Sequence, residues 1–159
     1  MQPADSPSPD DDPPPPPERR ALMARIRGKD TQPELAVRRL LHAMGYRFRL
    51  HRRDLPGTPD IVLVARRKVV FVHGCFWHRH PGCKAAGTPR TRRAFWEEKF
   101  ARNVARDAAK TEALAALGWR LLVLWECELK DREALAARLL DYLGPPGRGT
   151  AACSRSSCA

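Results

Sequence analysis

The stretch Val69 to Cys83 reads VVFVHGCFWHRHPGC and holds three of the chain's five histidines and two of its five cysteines. Cys75, His80 and Cys83 stand at the spacing C-x4-H-x2-C. Thiolates and an imidazole are the donors that suit a tetrahedral zinc ion. A closed structural site takes a fourth ligand, and Cys127, 44 residues further on, is the candidate outside the C-terminal tail. Free cysteines are also common in cores, but the histidine at ligand spacing favours zinc. His73 and His78 in the same stretch add groups able to move a proton near neutral pH.

These side chains need elements to hold them. Val69–Val72 is a run of β-formers that breaks at Gly74. Ile61–Ala65 is a second strand opened by Asp60, and Arg66-Arg67-Lys68 joins the two tightly. In an antiparallel pair with so short a connection, residues 60 and 73 lie at the same end. A lone aspartate at a strand start is usually a turn residue. Placed across from His73 and His78, it becomes a carboxylate able to hold Mg²⁺ beside proton-transfer groups. That is the equipment for phosphodiester hydrolysis.

Upstream, Thr31-Gln-Pro-Glu34 has the form of a capping box, with Glu34 reaching back to the cap. Leu35, Val37, Leu40, Leu41 and Met44 supply the apolar stripe of the helix it starts, and Gly45 stops it. Capping accounts for Glu34 fully. Tyr46–His51 alternates as a half-exposed strand does. Downstream, Thr91–Leu117 predicts one long helix or two, with Phe95, Trp96, Phe100, Val104, Ala108, Leu114 and Leu117 inward and a largely basic remainder. Trp119–Trp125 predicts a buried strand that delivers Cys127, and Asp131 caps a last helix to Leu143. Residues 1–18, with Pro13 to Pro17 in a row, and residues 144–159 are expected to be disordered tails around one domain, 19–143.

The 159-residue chain carries a net charge of +11. Its first 18 residues hold five acids and no Lys or Arg, which leaves 29 bases against 13 acids in the rest, or +16. A compact domain that basic meets a polyanion. An odd cysteine count with three in a metal pattern argues against a disulfide framework and for a reducing, cytoplasmic compartment. The acidic, proline-rich start is unlike a signal peptide, and no apolar run approaches membrane length.

Leu55-Pro-Gly-Thr-Pro-Asp60, His73-Gly-Cys-Phe-Trp-His78, Phe95-Trp-Glu-Glu-Lys99, Asn103-Val-Ala-Arg-Asp107, Gly118-Trp119 and Trp125-Glu-Cys127 together resemble the very short patch repair (Vsr) DNA mismatch endonucleases. The likeness runs from about Leu22 to Leu143. It implies an α/β, restriction-endonuclease-like fold, a mixed central sheet flanked by helices and related to the PD-(D/E)xK nucleases. It also implies an enzyme that nicks duplex DNA 5′ of the thymine in T:G mismatches left by 5-methylcytosine deamination. By that resemblance Asp60 would bind Mg²⁺, His78 would be the general base, His73 would assist at the phosphate and Asp107 would position the histidines. Glu34 would be the acid of the first helix. Cys75, His80, Cys83 and Cys127 would hold structural Zn²⁺. Phe76 and Trp77 would wedge between base pairs, with Met23 entering from the opposite groove. One departure is Val72, where family members can carry a threonine, so a Mg²⁺ ligand there would be the backbone carbonyl. Phe71-Val72-His73 also stands where the wider superfamily has Glu-x-Lys. The resemblance further suggests a bacterial, cytoplasmic monomer linked to a cytosine-5 methyltransferase and to MutL. A mismatch-binding zinc protein that does not cut, and a restriction-type nuclease cutting matched DNA, are the alternatives.

Overall fold

The computed structural model describes residues 16–24 and 28–147, the side chains of residues 19 and 22–24 excepted. The side chain of the expected intercalator Met23 and most of both expected tails lie outside the described part. Of the N-terminal tail, Pro17 and Glu18 open a short helix, α1 (Pro17–Ala24).

Four strands form one sheet in the order β1-β2-β3-β4. They are β1 (Arg49–Leu50), β2 (Ile61–Leu63), β3 (Lys68–His73) and β4 (Arg120–Trp125). β1 and β2, and β2 and β3, pair antiparallel, while β3 and β4 pair parallel with His73 opposite Trp125. The parallel crossover is made by α3 (Arg93–Ala116). α2 (Gln32–Ala43) precedes the sheet and α4 (Arg132–Leu143) ends the fold.

Because side chains alternate along a strand, the sheet has two distinct faces. Ile61, Leu63, Val70 and Leu124 pack with Val37, Leu40 and Leu41 of α2 and Leu135, Leu139 and Leu143 of α4. Val62, Val69 and Phe71 pack on the other face with Leu114 of α3. His73 shares the parity of Phe71, so the strand aims it toward the α3 side.

The sequence-based expectations differ from the fold in four places. The 46–51 strand shrinks to Arg49–Leu50 because β2, its partner, is three residues long. Tyr46 is core instead, its hydroxyl donating to Gly144 O at 2.5 Å. Residues Val64–Arg66 leave the second strand as a 3₁₀ turn. β4 is an edge strand, so only Leu124 in it is fully buried. Of the residues expected inward along α3 and its C-cap, Phe95, Val104, Ala108 and Leu117 are exposed, since the sheet covers Leu114 and the turn carrying Phe76 covers Trp96 and Phe100.

The connection 66–68 is used for more than turning. Arg66 donates to Leu143 O and Pro145 O, both at 2.6 Å, and Lys68 to Tyr142 O at 2.5 Å. Arg67, at φ +50°, donates to Leu117 O at 2.5 Å. Three consecutive cations thus satisfy the last carbonyls of α4 and α3, where the helix dipole favours positive charge.

Candidate active site

Gly57 and Thr58 both adopt left-handed conformations (φ +74° and +49°), and Pro59 behind them is fully buried. This tight turn presents Asp60 to the end of β3, where Asp60 Oδ2 accepts the Val72 N–H at 2.8 Å. The expected meeting of the two strand ends is therefore made by a hydrogen bond. Burial pushes the Asp60 carboxyl up to about 6, with Glu34 adding to the effect against the Val72 N–H and the nearby His51 and Arg38.

The α2 end of the same cleft carries a network that sequence reasoning did not find. Glu34 is buried and accepts from Thr31 Oγ1 (2.9 Å), the Asp30 N–H (3.1 Å) and Arg38 Nη2 (2.9 Å). The capping box is thus present in variant form, Glu34 reaching the Thr31 hydroxyl and the preceding N–H. Arg38 also donates to Asp30 Oδ1 at 2.6 Å and lies 2.8 Å from His51 Nε2. A guanidinium only donates, so His51 Nε2 accepts and its proton sits on Nδ1, 3.9 Å from Asp60 Oδ1. His51 holds that pose at φ +45°, a strained backbone for a residue with a Cβ. An arginine one turn after a capping glutamate was the available signal.

At the other side, His73 is 8% exposed and its ring stacks on that of His78 with centroids 3.8 Å apart. His78 Nδ1 lies 2.5 Å from Asp107 Oδ2. An ionised carboxylate can only accept, so Nδ1 carries a proton and donates in this contact. Burial raises the Asp107 carboxyl, but its hydrogen bond with His78 and the nearby cations hold it below the ordinary range. His73 is lowered to about 4 by burial first and by the neighbouring His78, and so is neutral at neutral pH. Lys110, one helical turn after Asp107, sits with Nζ 3.3 Å from Asp107 Oδ1. Asp60, His51, His73, His78, Lys110 and Glu34 all line one cleft of about 540 Å³.

Directly beyond it, the ligating atoms of Cys75, His80, Cys83 and Cys127 lie within 4.8 Å of one another. Cys127 follows β4, and the parallel pairing of β3 with β4 is what brings it beside Cys75. The His80 ring stacks on Trp125 (centroids 4.3 Å), and Trp125 meets His73 edge-on at 5.4 Å. Burial and the neighbouring thiols push Cys127 up to about 11, while backbone N–H groups led by Ala85 hold Cys83 below its ordinary value. Thiols crowded so that they cannot all ionise form a donor set that a divalent cation satisfies.

Phe76 and Trp77 sit in a turn, not in an extended segment, so both rings pack toward α3. Phe76 meets Phe100 at 5.1 Å and Trp96 at 5.6 Å, and Trp77 meets Trp96 at 6.1 Å. Lys99 Nζ lies 5.2 Å from the Trp77 ring, and Asn103 Nδ2 donates to Trp77 O at 3.1 Å. Both aromatics remain half-exposed.

The family model described as DNA mismatch endonuclease Vsr matches residues 12–84. A Type II nicking enzyme of Xanthomonas oryzae pv. oryzae is 59% identical over 127 residues, 80% of this chain and 93% of that protein. The DNA mismatch endonuclease Vsr of Escherichia coli is 44% identical over 118 residues, 74% of this chain and 75% of that protein. The chain belongs to the Vsr family of DNA mismatch endonucleases. A further relative, a Type II nicking enzyme of Neisseria meningitidis serogroup A, is 40% identical over 118 residues, 74% of this chain and 84% of that protein. The Vsr relatives are DNA endonucleases, which agrees with the basic charge and with a cleft combining a carboxylate and a histidine–aspartate pair. No helix among the described residues is long and apolar enough to cross a membrane.

Proposed function

We propose that this chain nicks duplex DNA on the 5′ side of the thymine in a T:G mismatch, by Mg²⁺-dependent hydrolysis. The observation that carries the reading is the His78–Asp107 contact of 2.5 Å, beside a cleft that also holds Asp60. With Nδ1 held by Asp107, His78 Nε2 takes the proton of the attacking water and Asp107 steadies the resulting imidazolium. Neutral His73, stacked on His78, donates a hydrogen bond at the phosphate. Asp60 and the Val72 carbonyl would hold Mg²⁺, which supplies charge neutralisation at the phosphate and the leaving oxygen. Two features support that pair. Asp60 is a desolvated carboxylate drawn toward protonation in the cation's absence. In an extended strand the C=O of a residue points to the same side as its N–H, and the Val72 N–H faces Asp60. Glu34 acts at one remove, through Arg38 and His51.

Cys75, His80, Cys83 and Cys127 would hold a structural Zn²⁺ that fixes the loop carrying His78, Phe76 and Trp77. A T:G wobble costs less to unstack than a matched pair. Phe76 and Trp77, half-exposed and backed by Trp96 and Phe100, would push between bases, at roughly a few kcal/mol per disrupted step, with Met23 entering opposite. The mixed sheet with helices on both faces supports a restriction-endonuclease-like fold, with 19–143 as its single domain. Deaminated 5-methylcytosine as the source of T:G pairs links the enzyme to a cytosine-5 methyltransferase.

The test is a nicking assay on a labelled duplex with one T:G mismatch in randomised flanks, beside its T:A control, with and without Mg²⁺. Wild type should nick the T strand alone, and Asp60→Ala and His78→Ala should not. Intact DNA in every context from folded, zinc-loaded protein would overturn the reading.

A further inference from the structure

We propose that Lys110 is a further catalytic residue, its ammonium contacting a non-bridging oxygen of the phosphodiester being cut. The proposal rests on the nuclease reading above and adds a group to it.

Glu34, Asp60 and Glu126 line the cleft, and Asp107 stands behind His78. A phosphodiester entering among four carboxylates meets repulsion unless cations answer it. Among the described lining residues the lysines are Lys29, which is exposed, and Lys110, which is half-buried. β3 brings no lysine of its own, because Lys68 is spent at the far end of the strand on Tyr142 O. Lys110 also lines a small hollow with His73 and Asp107, so it adjoins His73 in both spaces.

Its position is built. The stem lies against Gly57, where a Cβ would come within 2.6 Å of Lys110 Cδ. That glycine, at φ +74°, belongs to the turn that presents Asp60. The ammonium is 3.3 Å from Asp107 Oδ1. Lys110 thus spans the Asp60 turn and the Asp107 helix, the two halves of the site. An ammonium carries three donors. One engages Asp107, and no acceptor among the described residues takes the others, which leaves them to meet an oxygen in the cleft. Fixed donors aimed at developing charge are worth about 10²–10³ in rate.

The experiment is single-turnover nicking of the T:G duplex by wild type, Lys110→Met and Lys110→Arg. Each is run with a normal scissile phosphate and with each phosphorothioate diastereomer, and duplex affinity is measured in parallel. Methionine keeps a stem against Gly57 and removes the ammonium with its donors. We expect Lys110→Met to cut about 10²-fold more slowly with affinity within about twofold, and Lys110→Arg to recover part of the rate. One diastereomer should slow wild type yet add little to the Lys110→Met defect. Nicking by Lys110→Met within about threefold of an active wild type would overturn the proposal alone. So would an equal sulfur penalty in both proteins, which would make Lys110 merely a support for Asp107. A wild type that does not nick would overturn the nuclease reading and this inference together.

Discussion

Asp60→Asn should make the metal-free protein more stable while removing its activity. The unfolded carboxyl ionises near the ordinary 3.8 and the folded one near about 6. Between those values the folded state holds the extra proton, so its stability falls as pH rises through that window and levels off above it. The difference amounts to about 3 kcal/mol at neutral pH and about half that near pH 5. The side chain is 18% exposed, so solvent screens little of it. Asparagine matches the neutral carboxyl in shape and keeps an oxygen to accept the Val72 N–H, but has no charge to desolvate. Urea unfolding of both proteins in zinc-replete, magnesium-free buffer, near pH 5 and pH 7.5, reads the gap directly. Chelators are to be avoided, since they strip the cysteine cluster too. Saturating Mg²⁺ should then narrow the gap by stabilising wild type alone. A variant no more stable than wild type near pH 7.5, or a gap equal at both pH values, would refute the reasoning.

Cys83→Ser should lose zinc and folding together, because structural zinc contributes roughly 10–16 kcal/mol in small sites; bound metal and near-UV circular dichroism check it, and retained folding with full nicking would remove the structural zinc. Arg38→Met strands the buried Glu34 carboxylate and should cost about 3–5 kcal/mol in urea unfolding, partly recovered by adding Glu34→Gln.

How much of this was legible in the sequence depends on the range of the interaction. The Asp60–β3 meeting follows from strand periodicity and a short connection, both local, and the structure has it as a single hydrogen bond. The Thr31 cap and the Asp131 cap are equally local. The gathering of Cys75, His80, Cys83 and Cys127 follows from residue type and spacing, with Cys127 placed by the strand before it. Arg38, His51 and Lys110 were not found. Arg38 and Lys110 have local partners in Glu34 and Asp107, but the contacts that give them their place, Arg38 with His51 and Lys110 with Gly57, join segments distant in the chain. The inward face of α3 was overdrawn for a related reason. Trp96 and Phe100 are covered by the Phe76–Trp77 turn and Leu114 by the sheet, while Val104 between them stays exposed. The turn at 75–79, which lets Phe76 and Trp77 face the same helix, has no signature in the spacing.

The basic connection 66–68 bears on how this protein holds a polyelectrolyte. Each phosphate contact that releases a condensed counterion steepens the salt dependence of binding by about 0.9 in the logarithmic slope. Arg66, Arg67 and Lys68 are already bound to helix-end carbonyls. They also sit at the opposite end of β3 from His73, about 16 Å away at the rise of a strand. Their charges enter the net +11 but release no counterions from DNA lying in the cleft. The affinity of this protein for DNA therefore falls less steeply with salt than its excess of basic residues suggests, and the slope measures only the cations on the cleft side of the sheet.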